Sequence, residues 1–91
     1  MNNSMRIVTE QKVSTSNSSA ASAAFGSNIE YIRVISDTAC WITFGTSPTA
    51  TASKTLLPAN EVEYFKVSEG EKIAAILASG TGAIYIAELS E

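Results

Sequence analysis

The sequence predicts an all-β domain, a small β-sandwich or jelly-roll-like unit with an extended N-terminal arm. Two observations carry this expectation. From Ile29 to Leu89 the chain breaks into short runs rich in Ile, Val, Tyr and Phe, with turn-forming residues recurring about every 8–12 positions. No run in residues 29–91 keeps the roughly 3.6-residue apolar period of an amphipathic helix, and no internal repeat marks a solenoid or propeller.

Taken in order, Met5 to Val13 reads as a first strand with a thin apolar stripe, Ile7 and Val13 sharing one face by period two. Residues 14–24 are drawn only from Ser, Thr, Asn and Ala and offer almost nothing to bury, so they read as a linker or arm. A short helical turn at Ala20–Ala24 is the alternative, opposed by five serines in residues 14–24 that compete for backbone hydrogen bonds. The expected division is residues 1–24 as arm and linker and 25–91 as the sandwich. Ile29–Ile35 and Ala39–Phe44 are strands separated by Ser36-Asp37-Thr38, which predicts a tight hairpin. Within the second, Cys40, Ile42 and Phe44 point one way and Trp41 and Thr43 the other.

Gly45 to Thr55 is a long Ser/Thr-rich loop holding Pro48, and Leu56–Asn60 is a short edge strand broken by Pro58. Val62–Val67, Lys72–Ala78 and Ala83–Leu89 complete the set, with hairpin turns at Ser68–Glu71 and Ser79–Gly82. The expected core is Ile32, Val34, Ile42, Phe44, Leu57, Phe65, Val67, Ile73, Leu77, Ile84 and Ile86.

Composition narrows the function. A chain of 91 residues is marginal on its own, and such domains lean on disulfides, metals or assembly. Cys40 is the only cysteine and histidine is absent, which removes an intrachain disulfide, a zinc site and the usual base near neutral pH. Assembly remains. A net charge of −3 and a pI near 4.8 argue against nucleic-acid and anionic-membrane partners. No apolar stretch reaches the roughly 18–20 residues of a membrane span, and no signal-peptide core is present. The chain therefore reads as soluble and unsecreted, its single thiol compatible with a reducing cytosol.

The candidate sites are weak as chemistry. Cys40 reads as a small buried hydrophobe, with Arg33 its one conceivable cross-strand cation. Glu61 and Glu63 at a strand start and Glu69 and Glu71 around Gly70 read as solvated carboxylates, with no EF-hand spacing. Gly80-Thr81-Gly82 lacks the strand–loop–helix context of a phosphate cradle and reads as a turn. No catalytic, cofactor-binding or metal-binding residue is expected.

Tyr31, Trp41, Tyr64 and Tyr85 suit a subunit interface better than a ligand platform. The expected partner interface is Met5, Ile7, Val8, Val13, Tyr31, Trp41, Pro48, Tyr64 and Tyr85. Residues 1–24, fully extended, could reach about 80 Å and add a strand to a neighbouring sheet.

The series Ile32-Arg33-Val34-Ile35-Ser36-Asp37, Cys40, Phe44-Gly45, Pro48-Thr49-Ala50-Thr51, Leu57-Pro58-Ala59-Asn60, Glu63-Tyr64-Phe65 and Gly70-Glu71-Lys72-Ile73-Ala74 resembles small structural proteins of tailed bacteriophages. The similarity spans roughly residues 29–89 and rests on turns and strands; residues 14–24 do not match it. It implies a non-enzymatic virion component on the phage head, made in the host cytoplasm. The expected role is that of a decoration or cement protein, a homotrimer that binds the major capsid protein. The alternatives are a tail, head–tail joint or fibre-base component, or a carbohydrate-binding module using Trp41, Tyr64 and the Gly45–Thr55 loop.

Overall fold

Residues 5–90 are described by the computed structural model; residues 1–4 of the expected arm, and Glu91, lie outside them. Eight strands form: β1 (Arg6–Thr15), β2 (Ala20–Ala21), β3 (Tyr31–Ser36), β4 (Cys40–Gly45), β5 (Thr55–Leu57), β6 (Glu63–Lys66), β7 (Lys72–Ile76) and β8 (Gly82–Ser90). They make two four-stranded sheets, β1-β8-β3-β6 (sheet A) and β2-β7-β4-β5 (sheet B), with every pairing antiparallel. Every connection except β4–β5 carries the chain from one sheet to the other. This strand order is that of a jelly roll, two interleaved Greek keys closed face to face.

The core follows from alternation. Ile32, Val34 and Ser36 of β3 are buried, while Tyr31, Arg33 and Ile35 between them are exposed or half-buried. Ile42 and Cys40 of β4, Leu57 of β5, Ile73 and Ala75 of β7, and Ile84 and Ile86 of β8 meet them between the sheets. Of the expected core, Phe44 and Phe65 are only partly buried; they pack on each other as a tilted pair with ring centroids 5.1 Å apart.

Four expectations are corrected. First, residues 6–24 are part of the sandwich rather than an arm. β1 pairs with β8 from Arg6↔Ser90 to Thr15↔Gly82, and Ala20–Ala21 pair with β7 as a strand, not a helical turn. Phe25 and Ile29 then turn inward and are buried, so the 22–30 connection caps one end of the core. Its backbone is tied to the β6–β7 turn, Phe25 N–H donating to Glu71 O at 2.8 Å and Gly70 N–H to Phe25 O at 3.0 Å. The Gln11 side chain accepts from Ala23 N–H at 2.9 Å and so links the β1 edge to this connection.

Second, Ile7 and Val13 do not share a face. A bulge between Ile7 and Thr9 inserts Val8 and reverses the parity, so Val13 opposite Ile84 packs on the core while Ile7 opposite Leu89 faces out. Third, Ser36-Asp37-Thr38 is a corner between sheets, not a hairpin, because β3 pairs with β6 and β8 and β4 with β5 and β7. A turn signal marks where the chain reverses but not which strand it will meet. Fourth, the other sharp turns, at Ser68–Glu71 and Ser79–Gly82, also cross between sheets.

The Asp37 corner is closed by its own hydrogen bonds. Ala83 N–H donates to Asp37 Oδ1 at 2.9 Å, Thr38 Oγ1 to the same oxygen at 3.0 Å, and Asp37 N–H to Ala83 O at 3.1 Å. Gly82 is required beside it, since a Cβ there would lie 2.6 Å from Thr38 Oγ1 and 2.7 Å from Asp37 Oδ1. The Gly45–Thr55 loop is anchored as well. Ala50 is buried and its N–H donates to Ser19 Oγ at 2.8 Å.

Candidate partner-binding face

Side-chain alternation and register together define the outer face of sheet A. One row across it reads Ile7, Leu89, Tyr31, Lys66; the next Glu10, Ala87, Arg33, Tyr64; the third Lys12, Tyr85, Ile35. All three tyrosines of the chain therefore stand on this one face. Tyr64 is 63% exposed, Ile7 58%, and Tyr31 and Tyr85 both 42%.

β8 runs through the centre with a small side chain at Ala87, which is buried between the longer Glu10 on β1 and Arg33 on β3. The result is a shallow depression of about 300 Å³ with Ala87 on its floor and Glu10, Lys12, Arg33 and Tyr85 around it. Lys12 Nζ lies 5.8 Å from the Tyr85 ring centroid, a cation–π contact. Arg33 is half-buried, and its guanidinium has no hydrogen-bond or ion-pair partner among the described residues. A second depression of about 290 Å³ lies at the Ile7–Leu89–Tyr31 end, lined by Met5, Asn28, Glu30, Tyr31, Leu89 and Ser90.

The face carries three cations, Lys12, Arg33 and Lys66, against one carboxylate, Glu10, in a chain of net charge −3. The acidic surplus sits elsewhere: Glu61, Glu63 and Glu69 are exposed and Glu71 half-buried, all on or beside the edge strand β6.

The residues expected at an interface thus divide. Tyr31, Tyr64, Tyr85 and Ile7 converge on the outer face of sheet A, with exposed Val8 at the bulge and Met5 at one end. Val13 is half-buried and packs against the core, so it does not stand on this face. Trp41 lies on the outer face of the other sheet, in a row with Ile76 and 57%-exposed Leu56, and Pro48 is half-buried in the β4–β5 loop.

Trp41 and Tyr64 therefore point away from each other across the sandwich. They cannot form the shared sugar platform that the sequence allows. Sequence reasoning also missed Arg33, Lys12 and Leu89 as members of the face; alternation within β3 and β8 carried the signal, but only pairing with β1 made it readable.

Elsewhere the chemistry is sparse. Cys40 is buried, and burial pushes its thiol pKa up against the smaller opposing effect of a Ser36 hydrogen bond, which makes it a poor nucleophile. Glu88 is buried beneath the 22–30 connection, its Oε1 accepting from Gly26 N–H at 2.9 Å. No group of three or more His, Cys, Asp or Glu among the described residues is placed to hold a metal ion. Comparison with known proteins returned no matching family model, curated protein or solved structure.

Proposed function

We propose that this chain is a non-enzymatic virion structural protein, a decoration protein that forms a homotrimer and binds the major capsid protein on the head of a tailed bacteriophage. The observation that carries this reading is the gathering of all three tyrosines, with Ile7 and Leu89, on one outer sheet face. Exposed aromatics around a small-residue floor, rimmed by charge, are the composition of a protein interface, in which Tyr and Arg are enriched. The phage-like motif series over residues 29–89 supplies the virion assignment. The jelly roll supports it physically, because both sheets close on each other and leave their outer faces for neighbours.

Binding at many identical shell positions adds small free energies into a large resistance to rupture. The test is the copy number of this chain relative to the major capsid protein in purified particles. Parity with the shell protein, or a simple fraction of it, is the expected result. A handful of copies per particle moves the protein to the tail or the head–tail joint, and absence from particles overturns the virion reading.

A further inference from the structure

We infer that the occupant of the tyrosine face is a second copy of this chain, docking the acidic flank of its β6 edge onto Arg33 and Lys12. This rests on the assembly reading above and names the two surfaces that meet. Three observations lead to it.

The first is electrostatic. Copies of a chain with net charge −3 repel each other unless they approach with basic surface toward acidic surface. Half of the six Lys and Arg residues, Lys12, Arg33 and Lys66, stand on the outer face of sheet A. Glu61, Glu63, Glu69 and Glu71 lie on β6 or its flanking connections, at the rim of the same sheet. The two charge groups are complementary: Arg33 and Lys66 stand beside the acidic β6 edge, and Lys12 lies across the sheet on β1.

The second is an unfilled demand. Arg33 is half-buried in mid-sheet between Ala87 and Tyr64, yet no carboxylate pairs with it among the described residues. A planar guanidinium flanked by an aromatic ring is a receptor for a carboxylate, which it can hold through two parallel N–H···O bonds. Glu61 and Glu63 are exposed, and their carboxylates likewise make no hydrogen bond or ion pair among the described residues.

The third is shape. The depression over Ala87 is walled by Glu10, Lys12, Arg33 and Tyr85. β6 is a four-residue edge strand that can present side chains into such a hollow without a long flat edge to clash.

The experiment uses the full chain in sedimentation velocity, with charge-reversed variants. At low salt the wild type is expected to self-associate, and to loosen in about 0.5 M salt as screening shortens the reach of the pairs to a few ångströms. Lys12→Glu with Arg33→Glu, and separately Glu61→Lys with Glu63→Lys, should each weaken association by at least about tenfold. The chain carrying all four changes should recover it. Arg33→Gln serves as a milder probe if the reversed pair compromises folding, which thermal melts report.

Association that ignores the Lys12 and Arg33 changes, or that the four-fold variant fails to recover, overturns the inference while leaving assembly through another face intact. A wild type that stays monomeric at about 100 μM also overturns it. Particle binding by that monomer, lost in the Lys12 and Arg33 variant, would assign the face to an acidic shell protein and leave the decoration reading standing.

Discussion

Four polar side chains among the described residues are buried in the sandwich: Thr15, Ser22, Ser36 and Glu88. Three of them have partners. Ser22 accepts from Ile73 N–H, the Ser36 hydroxyl donates to Thr38 O, and Glu88 accepts from Gly26 N–H. Thr15 Oγ1 has none. A buried hydroxyl without a partner costs stability, and replacing it with a methyl of the same shape removes that cost. Thr15→Val is therefore expected to stabilise the fold by about 1 kcal/mol in urea denaturation; a loss of stability would mean the hydroxyl is bonded in solution.

Asp37 sets an acid dependence at the same scale. The hydrogen bond from Ala83 N–H, then that from Thr38 Oγ1, hold its carboxyl below the usual carboxylate range, with a further small pull from Lys12. Because the folded value is depressed, its contribution is complete above the unfolded value of about 3.9 and disappears as pH falls through the folded one. Asp37→Asn should flatten that part of the stability–pH profile below about pH 4 while leaving the neutral-pH slope unchanged. NMR titration should find Asp37 ionising below the usual carboxylate range; an Asp37 that titrates at the free value of about 3.9 would remove the argument.

At the scale of elements, the N-terminal segment changes role. Had residues 1–24 been an arm, deleting them would leave a folded body that no longer binds its partner. The structure makes the opposite prediction, since deletion strips β1 from β8 and β2 from β7 and exposes two ladders at once. The truncated chain is expected to lose its cooperative thermal transition. A sharp, two-state melt for residues 25–91 would restore the arm.

Phe25 tests the 22–30 connection as the cap on the core, because it is 2% exposed at the end of the core. Phe25→Ala should cost about 3–5 kcal/mol in urea denaturation, and a loss under about 1 kcal/mol would mean the cap contributes little. Phe25 was hard to see from the sequence for a simple reason. It follows eleven residues with no large apolar side chain, and one ring in such company has no periodicity to declare which way it faces.

For the whole molecule, the two outer faces differ in kind. Sheet A presents tyrosines with charge; sheet B presents the row Ile76, Trp41, Leu56 without a charged side chain in it. Tyr64 is the most exposed large hydrophobic side chain of the first face. Tyr64→Ser should leave stability within about 0.5 kcal/mol and weaken assembly by about tenfold or more. A variant that assembles like wild type would show that the tyrosine face is not where copies or shell meet.

The all-β class, most strand positions and most of the core were legible in the sequence because alternation and turn chemistry are local. Ile32, Val34, Ile42, Leu57, Ile73, Ile84 and Ile86 declare an inward side through neighbours two residues away. Strand pairing is not local. Whether Ser36–Thr38 is a hairpin or a corner depends on β7 and β8, some forty residues distant. The Val8 bulge likewise decides which way Ile7 faces, and it exists only because β1 must stay in register with β8. So the residue types available for an interface were set by composition, whereas their meeting on one face was decided by tertiary pairing, which alone brings β1, β8, β3 and β6 side by side.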